Sequence, residues 1–362
     1  MSNTGDIRRN LVLGGAQFGE GYGKLVSRDT VEVNGVRYTG KNVILATGSY
    51  AKTLPGLEID GEKIITSDHG TKMSYVPKSV IVLGGGVIGC EFASVWKSFG
   101  ADVTIIEGLP HLIALEDESS SKQLERAFRK RGIKFELGVR FQSATKNADG
   151  VTVTLEDGKT FTAEVLMVSV GRGPVSANLG YEEQGIAMDR GYVLVDDKCR
   201  TNVPGIWAVG DLIPTLQLAH VGFAEGILVA EEIAGLNPRP INYDGVPRVT
   251  YSEPEVASVG LTTAEAKKRG HDVVELTYDL AGNGKAQILN TAGSIKLVAQ
   301  KDGPVLGVHM VGARVGELLA EAELIYNWEA RANDVAPLIH AHPTLSEAMG
   351  EAHMALAGKP LH

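Results

Sequence analysis

The hydrophobic pattern changes from strand-like to helix-like within residues 80–107. Residues 80–83 (VIVL) form a short apolar run that is typical of a buried strand. After a turn, apolar side chains recur at the spacing of one helix face, at Phe92, Val95, Trp96 and Phe99. Gly100 is placed to end this helix, and residues 103–106 form a second apolar strand. The pattern therefore predicts a strand–helix–strand unit of a parallel sheet.

The turn before the helix carries Gly84-x-Gly86-x-x-Gly89, and the second strand ends in Glu107. In such a unit the first glycine permits the tight turn, the second lets a pyrophosphate approach the backbone, and the third lets helix and strand pack closely. The helix N-terminus favours phosphate. A carboxylate at Glu107 would accept the ribose hydroxyls and repel a 2′-phosphate, so the motif predicts NAD rather than NADP. A purely structural glycine-rich turn is the alternative.

The chain on either side of this unit predicts further strands and one capped helix. Residues 24–46 predict strands, with a hairpin turn at Asn34-Gly35 and a buried strand over 42–46. After Glu107, residues 119–132 predict a helix that ends at a glycine, with the serines at 119–121 as candidate N-caps.

The second half of the chain predicts a mixture of elements. Residues 151–163 predict a hairpin, and 165–170 predict another buried strand. An apolar helix is predicted over 223–234, and the Pro-rich connector 237–240 marks a domain boundary. From residue 246 strands alternate with short helices up to a final helix near the C-terminus.

Residues 11–19 resemble a degenerate second dinucleotide fingerprint. However, Gly21-Tyr22-Gly23 and a strand-like segment follow almost at once, which leaves no room for the helix that must receive the phosphates. We therefore do not expect residues 11–19 to form a working nucleotide site.

Composition and charge exclude several classes of partner. The net charge is −9 and the basic residues form no run, which argues against nucleic acid or an anionic membrane. The two cysteines, Cys90 and Cys199, are too few for a disulfide framework and fit a reducing compartment. No apolar run reaches membrane-spanning length, and the N-terminal residues show no signal-peptide core. We expect a cytoplasmic protein with no nucleic-acid or membrane partner.

Several further motifs accompany the glycine turn and Glu107 in a fixed order: Ala46-Thr47-Gly48, Val170-Gly171-Arg172, Ala208-Val209-Gly210-Asp211, Leu218-Ala219-His220 and the run 340–347 (HAHPTLSE). Together they resemble the FAD-dependent pyridine nucleotide–disulfide oxidoreductases, and within them the actinobacterial dihydrolipoyl dehydrogenases. The resemblance covers nearly the whole chain from about Gly19. The His-Ala-His-Pro-Thr motif favours this branch over the glutathione reductases.

The resemblance implies an α/β fold with three-layer, Rossmann-like FAD- and NAD(P)-binding domains and a C-terminal α+β dimerisation domain. It divides the chain into part of an FAD-binding domain (1–76), an NAD-binding domain (77–175), a second part of the FAD-binding domain (176–240) and the dimerisation domain (241–362). It implies a homodimer. It also implies FAD and NAD as cofactors, and the lipoyl domain of a 2-oxo acid dehydrogenase complex, or a small dithiol, as partner.

The resemblance also assigns residues to each site. The implied NAD contacts are Gly84, Gly85, Gly86, Val87, Ile88, Gly89, Cys90, Glu91, Glu107 and Gly171. The implied FAD contacts are Gly23, Thr47, Gly48, Ser49, Asp211, Gln217, Leu218, Ala219 and His220. His342 matches the family's catalytic acid/base, and Glu347 matches the residue that holds its ring. No metal site is implied.

The residues alone support these assignments less strongly. A histidine is suited to take a thiol proton near neutral pH, and a carboxylate on its other nitrogen would fix its tautomer. Thr344-x-x-Glu347 is equally a capping box for the final helix, and the two roles can coexist. His340 is expected to be structural, and Asp211 could be a plain cap. Cys90 is expected to be core packing, although a helix N-terminus can lower a thiol pKa.

One departure from the family pattern concerns the redox centre. The family has an N-terminal FAD fingerprint followed by Cys-x-x-x-x-Cys, and neither cysteine here has that spacing. We therefore expect a dihydrolipoyl dehydrogenase-type chain that lacks this N-terminal segment, converts dihydrolipoamide and NAD⁺ poorly, and has no redox disulfide. The alternatives are a catalytically silent NAD-binding and dimerisation module, or a related flavin reductase or transhydrogenase.

Overall fold

The computed structural model describes residues 19–148 and 150–361. Residues 1–18 of the predicted domain 1–76 therefore lie outside the described residues. They include the region 11–19, where we expected no working nucleotide site, except for Gly19. Contacts divide the described chain into two units. Unit 1 comprises residues 19–50 and 173–241, and unit 2 comprises 51–172 and 242–361.

The strands are numbered in chain order: β1 Gly23–Ser27, β2 Thr30–Val33, β3 Val36–Thr39, β4 Val43–Leu45, β5 Ser49–Ala51, β6 Ile64–Ile65, β7 Ser79–Leu83, β8 Asp102–Glu107, β9 Lys134–Leu137, β10 Phe141–Lys146, β11 Val151–Leu155, β12 Thr160–Ala163, β13 Val165–Val168, β14 Arg172–Pro174, β15 Met188–Asp189, β16 Tyr192–Val193, β17 Ile206–Ala208, β18 Arg248–Thr250, β19 Glu255–Gly260, β20 Val273–Asp279, β21 Ser294–Gln300 and β22 Val305–Gly312.

The α-helices follow the same convention: α1 Ser67–Gly70, α2 Val87–Ser98, α3 Glu118–Lys130, α4 Ala219–Ile233, α5 Thr263–Lys268, α6 Gly284–Ile288, α7 Val315–Asn327, α8 Ala332–Val335 and α9 Glu347–Leu356. Three short 3₁₀ turns cover Gly210–Leu212, Tyr243–Gly245 and Leu280–Gly282. No helix in the described ranges is both long and apolar enough to cross a membrane.

Unit 2 contains the predicted strand–helix–strand unit inside a parallel five-stranded sheet with the order β6-β13-β7-β8-β9. Alternate residues of β7 point to opposite faces, as a pleated strand requires. Val80 and Val82 pack in a core with helices α2 and α3, whereas Ile81 and Leu83 pack against the antiparallel sheet β10-β11-β12. Helices, parallel sheet and antiparallel sheet thus form the three layers that were predicted.

The C-terminal part of unit 2 is a second, antiparallel sheet with the order β18-β19-β22-β21-β20. Helices α7 and α9 supply apolar side chains to its core. Val256 and Val311 of this sheet belong to the same hydrophobic cluster as helix α3, so the nucleotide-binding fold and the C-terminal sheet share part of one core.

Unit 1 is built from smaller sheets. Strands β1, β2 and β3 form an antiparallel sheet, with the predicted turn at Asn34-Gly35, where both residues have positive φ. Strand β4 pairs with β17 in parallel, and helix α4 contributes Leu228 and Val229 to the core beside them. The hairpin β15–β16 and the pair β5–β14 form two further small sheets.

Three local predictions were wrong. The strand predicted over 42–46 is only partly buried, since Ile44 is 45% exposed. Its described sheet has two strands, so β4 pairs with β17 alone. The predicted apolar face of α2 is also only partly buried: Val95 and Phe99 are exposed, and the small residues Gly89, Cys90 and Ala93 face the sheet instead. Finally, the serines 119–121 do not cap helix α3. Asp117 is the N-cap, because its carboxylate, two residues before Ser119, is placed to accept from the Ser119 N–H.

The sheet of the nucleotide-binding fold extends beyond its predicted range. Strand β6 pairs with β13, although it lies before residue 77. The contact-defined units also divide the chain near residues 50, 172 and 241. The Pro-rich connector at 237–240 therefore lies next to a change of unit, whereas residues 51–76 group with the nucleotide-binding fold.

Candidate functional site

The glycine turn of unit 2 leaves no room for side chains at two positions. Gly84 has φ +108°, and a Cβ there would lie 2.4 Å from the Ser169 carbonyl oxygen. A Cβ at Gly89 would lie 1.9 Å from the Gly84 carbonyl oxygen, so this glycine sets the close approach of α2 to β7. A Cβ at Gly86 would meet nothing within 4 Å. The second glycine thus faces open space at the N-terminus of α2, where backbone N–H groups lack partners inside the helix.

A cavity of about 670 Å³ lies beside this turn. It is lined by seven of the residues that the sequence assigned to NAD: Gly84, Gly85, Gly86, Val87, Ile88, Glu107 and Gly171. The other three are not among its lining residues. Gly89 lies at the helix–strand contact, Cys90 is buried beneath the turn, and Glu91 points elsewhere: its Oε1 accepts from the Tyr251 N–H at 2.9 Å.

Glu107 is held firmly at the edge of this cavity. Its Oε2 accepts from the Gly85 N–H at 2.5 Å, and its Oε1 accepts from the Leu109 N–H at 2.7 Å. Each carboxylate oxygen has further acceptor capacity, so these two bonds fix the side chain without using it up. The acid therefore lines the cavity in a fixed position and can still accept hydrogen bonds.

Burial raises the pKa values of two side chains near the start of α2, Cys90 and Glu91. The Cys90 thiol donates to the Gly85 carbonyl oxygen, and burial, with the charges of Glu107 and Glu91, raises its pKa well above the usual range. A thiol in this state is a packing group rather than a nucleophile, as expected from the sequence. Burial also raises the pKa of Glu91, and the hydrogen bond from Tyr251 partly opposes that shift.

Sequence analysis missed two sets of cavity residues. One is the segment 108–116, which contributes Leu109, His111, Ile113 and Glu116 among others and which we name the cavity wall. The other comprises Arg140, Phe141 and Glu156, which come from the antiparallel sheet and its connections. Neither set carries a motif: the cavity wall follows Glu107 directly as an irregular segment, whereas the second set reaches the cavity through the packing of the layers.

Among the predicted FAD residues of unit 1, Ser49 and Asp211 are brought into direct contact. The Ser49 hydroxyl donates to Asp211 Oδ2 at 2.5 Å. The preceding turn is fixed by the Thr47 hydroxyl, which donates to the Val175 carbonyl oxygen at 2.5 Å, and by the Val175 N–H, which donates to the Gly48 carbonyl oxygen. Asp211 lies in a 3₁₀ turn and not at the start of a helix with a side-chain cap.

The segment 217–220 leads into helix α4. Leu218 is the N-cap, and Ala219 and His220 open the helix. The Gln217 side-chain nitrogen is buried without a hydrogen-bond partner among the described residues. Gly23 lies apart in sequence, in strand β1, where it pairs with Val33.

Glu225 of helix α4 was also missed from the sequence. Its side chain is fully buried and accepts from the Gly210 N–H at 2.6 Å and from the Thr215 hydroxyl at 2.8 Å. It therefore fixes the backbone turn that carries Asp211. A charge inside an apolar helix face was the signal that could have revealed this role.

The histidine motif forms the pair that was predicted. His342 Nδ1 lies 2.8 Å from Glu347 Oε1, while Glu347 Oε2 accepts from the Thr344 N–H at 2.7 Å. The Thr344 bond and the His342 contact thus coexist, but helix α9 begins at Glu347 with Ser346 as its N-cap, so the predicted cap at Thr344 was wrong. The Thr344 bond and, after it, the His342 bond lower the pKa of Glu347. The His342 side chain is 76% exposed, whereas His340 is paired with Glu321 at 2.8 Å, in keeping with a structural role.

Comparison with known proteins decides the family. Residues 4–226 match the pyridine nucleotide-disulphide oxidoreductases, and residues 246–353 match the dimerisation domain of the same family. The chain belongs to the pyridine nucleotide-disulphide oxidoreductase family. The predicted resemblance is thereby confirmed, as is the predicted α/β fold with a dimerisation domain.

Known members of this family extend the comparison. The chain is 42% identical to a dihydrolipoyl dehydrogenase of Cupriavidus necator over 95% of its own length and 74% of the relative's. It is 43% identical to a dihydrolipoyl dehydrogenase of Bacillus subtilis over 89% of its length and 69% of the relative's. The solved structure of LpdA from Mycobacterium tuberculosis superposes with a TM-score of 0.91 at 28% identity, over 98% of this chain and 80% of that one.

Dihydrolipoyl dehydrogenases of this family use FAD and NAD(H), and the residues present fit both groups. The open space at Gly86 beside the helix N-terminus suits a pyrophosphate. In unit 1, Cβ positions at Gly48 and Gly210 also meet open space, and the unpartnered Gln217 amide suits a ligand that offers acceptors. The dimerisation domain fits a homodimer.

Proposed function

We propose that this chain serves the dihydrolipoyl dehydrogenase reaction, in which dihydrolipoamide and NAD⁺ give lipoamide and NADH. The observation that carries the proposal is the His342–Glu347 pair: an exposed imidazole whose Nδ1 is held at 2.8 Å by a carboxylate. The dihydrolipoyl dehydrogenase relatives at 42% and 43% identity support the same substrate class.

His342 is the proposed acid/base. Because Glu347 accepts from Nδ1–H, the neutral ring presents Nε2 as the proton acceptor. Glu347 is itself fixed by the Thr344 N–H, so the ring orientation is set before substrate arrives. Nε2 then takes a thiol proton from the dithiol and leaves a thiolate, which is the nucleophilic form of sulfur.

The proposed cofactor residues follow the sequence assignments. In unit 2, the NAD residues are Gly84, Gly85, Gly86, Val87, Ile88, Glu107 and Gly171 at the cavity, with Gly89, Cys90 and Glu91 in supporting places. In unit 1, the FAD residues are Gly23, Thr47, Gly48, Ser49, Asp211, Gln217, Leu218, Ala219 and His220. FAD bound by these residues would supply the two-electron carrier between the dithiol and NAD⁺.

Partners and domain limits are part of the same proposal. We propose a lipoyl domain of a 2-oxo acid dehydrogenase complex as the macromolecular partner, and a cytoplasmic location, which two free buried cysteines fit. We propose the division into FAD-binding parts (1–76 and 176–240), an NAD-binding domain (77–175) and a dimerisation domain (241–362), although residues 51–76 group with the nucleotide-binding fold by their contacts. The family match at 246–353 supports the last of these limits.

The 362 residues contain no Cys-x-x-x-x-Cys pair, and both cysteines are buried. The chain alone therefore should not form NADH from dihydrolipoamide and NAD⁺. We expect activity when the chain is joined to the part of the Cupriavidus necator relative that its match does not cover. Turnover by the unjoined, mass-verified chain would contradict the first statement, and an inactive but flavin-loaded joined protein would contradict the proposed function.

Two substitutions in the joined protein test the role of the pair. His342→Gln should lower kcat by about a hundredfold or more, since one general base is worth 10²–10⁴. Glu347→Gln should lower kcat less, with little change in KM for NAD⁺. His340→Gln is the matched control, because His340 is paired with Glu321. Equal activity of the His342 and His340 variants would refute the assignment.

A second candidate function is a catalytically silent module that binds NAD and dimerises. The burial of both cysteines favours it. A purified 362-residue chain that shows a flavin absorbance band would argue against this alternative, whereas a colourless chain that binds NADH would favour it.

A further inference from the structure

The cavity wall, residues 108–116, has a strained backbone. Ile113 has φ +43°, a left-handed conformation that is unfavourable for a β-branched residue, and it is buried. Its N–H donates to the Gly85 carbonyl oxygen at 2.8 Å, which joins the wall directly to the glycine turn. Strain of this kind persists only where the surroundings hold the segment in place.

One contact that holds the wall comes from the nucleotide-binding fold itself. Glu125 of α3 accepts from the Leu112 N–H at 3.2 Å, and it lies 3.0 Å from His111 Nδ1. This carboxylate secures the middle of the wall. The C-terminal end of the wall is held by other residues.

That end is held by the C-terminal sheet. Glu116, whose side chain is 9% exposed, accepts from the Ser258 hydroxyl at 2.6 Å and lies 3.5 Å from the Arg248 guanidinium. The neighbouring Asp117 receives Lys296 Nζ at 3.0 and 3.2 Å. Ser258, Arg248 and Lys296 belong to β19, β18 and β21.

The Asp117–Lys296 contact is buried and ionic. Asp117 is 3% exposed and Lys296 is 8% exposed. Burial acts to raise the pKa of Asp117, but hydrogen bonds from Ser119, Lys296 and the Thr263 N–H outweigh it and hold the pKa well below its usual range. Removing one partner of such a pair leaves an uncompensated charge, so the contact strongly favours one position of the segment.

We propose that Arg248 and Lys296 of the C-terminal sheet are positioning residues for NAD: they hold the cavity wall in the conformation that binds the dinucleotide. This inference rests on the proposed NAD site. The C-terminal sheet therefore has a second role besides dimerisation, which is to set the affinity of a site in which it supplies no lining residue.

The affinity for NADH depends on how often the cavity wall is in its binding conformation. If the wall adopts that conformation for only a fraction of the time, the apparent Kd rises by the inverse of that fraction. One charge-assisted hydrogen bond is enough to change such a population about tenfold. We therefore expect Arg248→Met and Lys296→Met each to raise the Kd for NADH about tenfold.

The experiment is an NADH titration of the 362-residue chain and its variants, followed by nicotinamide fluorescence. Ser294→Ala is the matched control, because Ser294 lies on the same strand as Lys296 but its hydroxyl accepts from the Gln123 side-chain amide of α3 at 2.7 Å, outside the cavity wall. Its Kd should stay within about twofold of the parent. Arg248→Lys, which keeps the charge near Glu116, should recover part of the lost affinity.

Hydrogen exchange separates positioning from general loosening. In Arg248→Met, amides of the wall should exchange faster, while those of α2 and β22 keep their rates. Faster exchange throughout the C-terminal sheet, or a Kd equal to that of Ser294→Ala, would overturn the inference. Should Lys296→Met not fold, Arg248→Met alone decides the question. Failure of the parent chain to bind NADH would instead overturn the NAD site itself.

Discussion

Strands β7 and β4 have nearly the same apolar sequence but different burial. The residues of β7 from Val80 to Leu83 are at most 4% exposed, whereas Ile44 in β4 is 45% exposed. Strand β7 has a paired neighbour on each side and a layer on each face, while β4 pairs only with β17 in its described sheet. The burial of an apolar strand is therefore set by its neighbours and not by its own hydrophobicity.

The proposed cofactor sites of the two units differ in a related way. The proposed NAD residues of unit 2 are mostly one continuous turn, completed by an acid at the end of the next strand. The proposed FAD residues of unit 1 come from separate segments, two of which meet at the Ser49–Asp211 contact. A site contained in one supersecondary unit depends on local geometry, whereas a dispersed site depends on how its segments pack.

The largest expected effect comes from a matched pair of core substitutions. Ile81→Ala, in β7, removes a side chain that is 1% exposed and should destabilise unit 2 by about 4 kcal/mol. Ile44→Ala, in β4, removes one that is 45% exposed and should cost under about 1 kcal/mol. Urea unfolding of both variants measures this difference. Similar losses would show that β4 is buried in the protein as it exists in solution.

The second expected effect uses two helical glycines. Gly89→Ala should destabilise unit 2 by about 2–3 kcal/mol and weaken NADH binding, because its Cβ would overlap the Gly84 carbonyl. Gly226→Ala, inside α4, meets nothing within 4 Å and should stabilise its helix by up to about 1 kcal/mol. Thermal unfolding should therefore show opposite signs. A shift in the same direction would contradict the close approach of α2 to β7.

Much of the candidate site could be predicted from the sequence, because many of its residues lie close together along the chain. The glycine turn and Glu107 follow from one strand–helix–strand pattern, and His342 and Glu347 are five residues apart. The cavity wall follows Glu107 directly but is irregular and carries no motif, and Arg140 reaches the cavity only through the packing of the layers, so neither could be predicted. Asp117 was missed as the cap because three serines beside it were equally good candidates.

The smallest expected effect is a difference between the two units in the loss of stability as the pH falls. Among the described histidines, unit 1 has only His220, which is exposed, whereas unit 2 has the buried His309 and His353. Burial lowers the pKa of His309, although Asp117 and Glu116 act to raise it and Arg248 acts to lower it; His353 is lowered in the same way. Both side chains should therefore stay neutral in the folded unit at pH values where the unfolded chain takes up protons.

The sign of the pH effect follows from this difference. Above about pH 6.5, His309 and His353 are neutral in both the folded and the unfolded state, so the free energy of unfolding does not change with pH through them. As the pH falls from 6.5 toward the folded pKa, each histidine removes up to about 1.4 kcal/mol of unfolding free energy per pH unit. Hydrogen exchange at pH 7.5 and 5.5 should therefore show β22 of unit 2 losing protection while β17 of unit 1 changes little. His309→Gln should reduce the loss in β22, and an equal response of both strands would contradict this account.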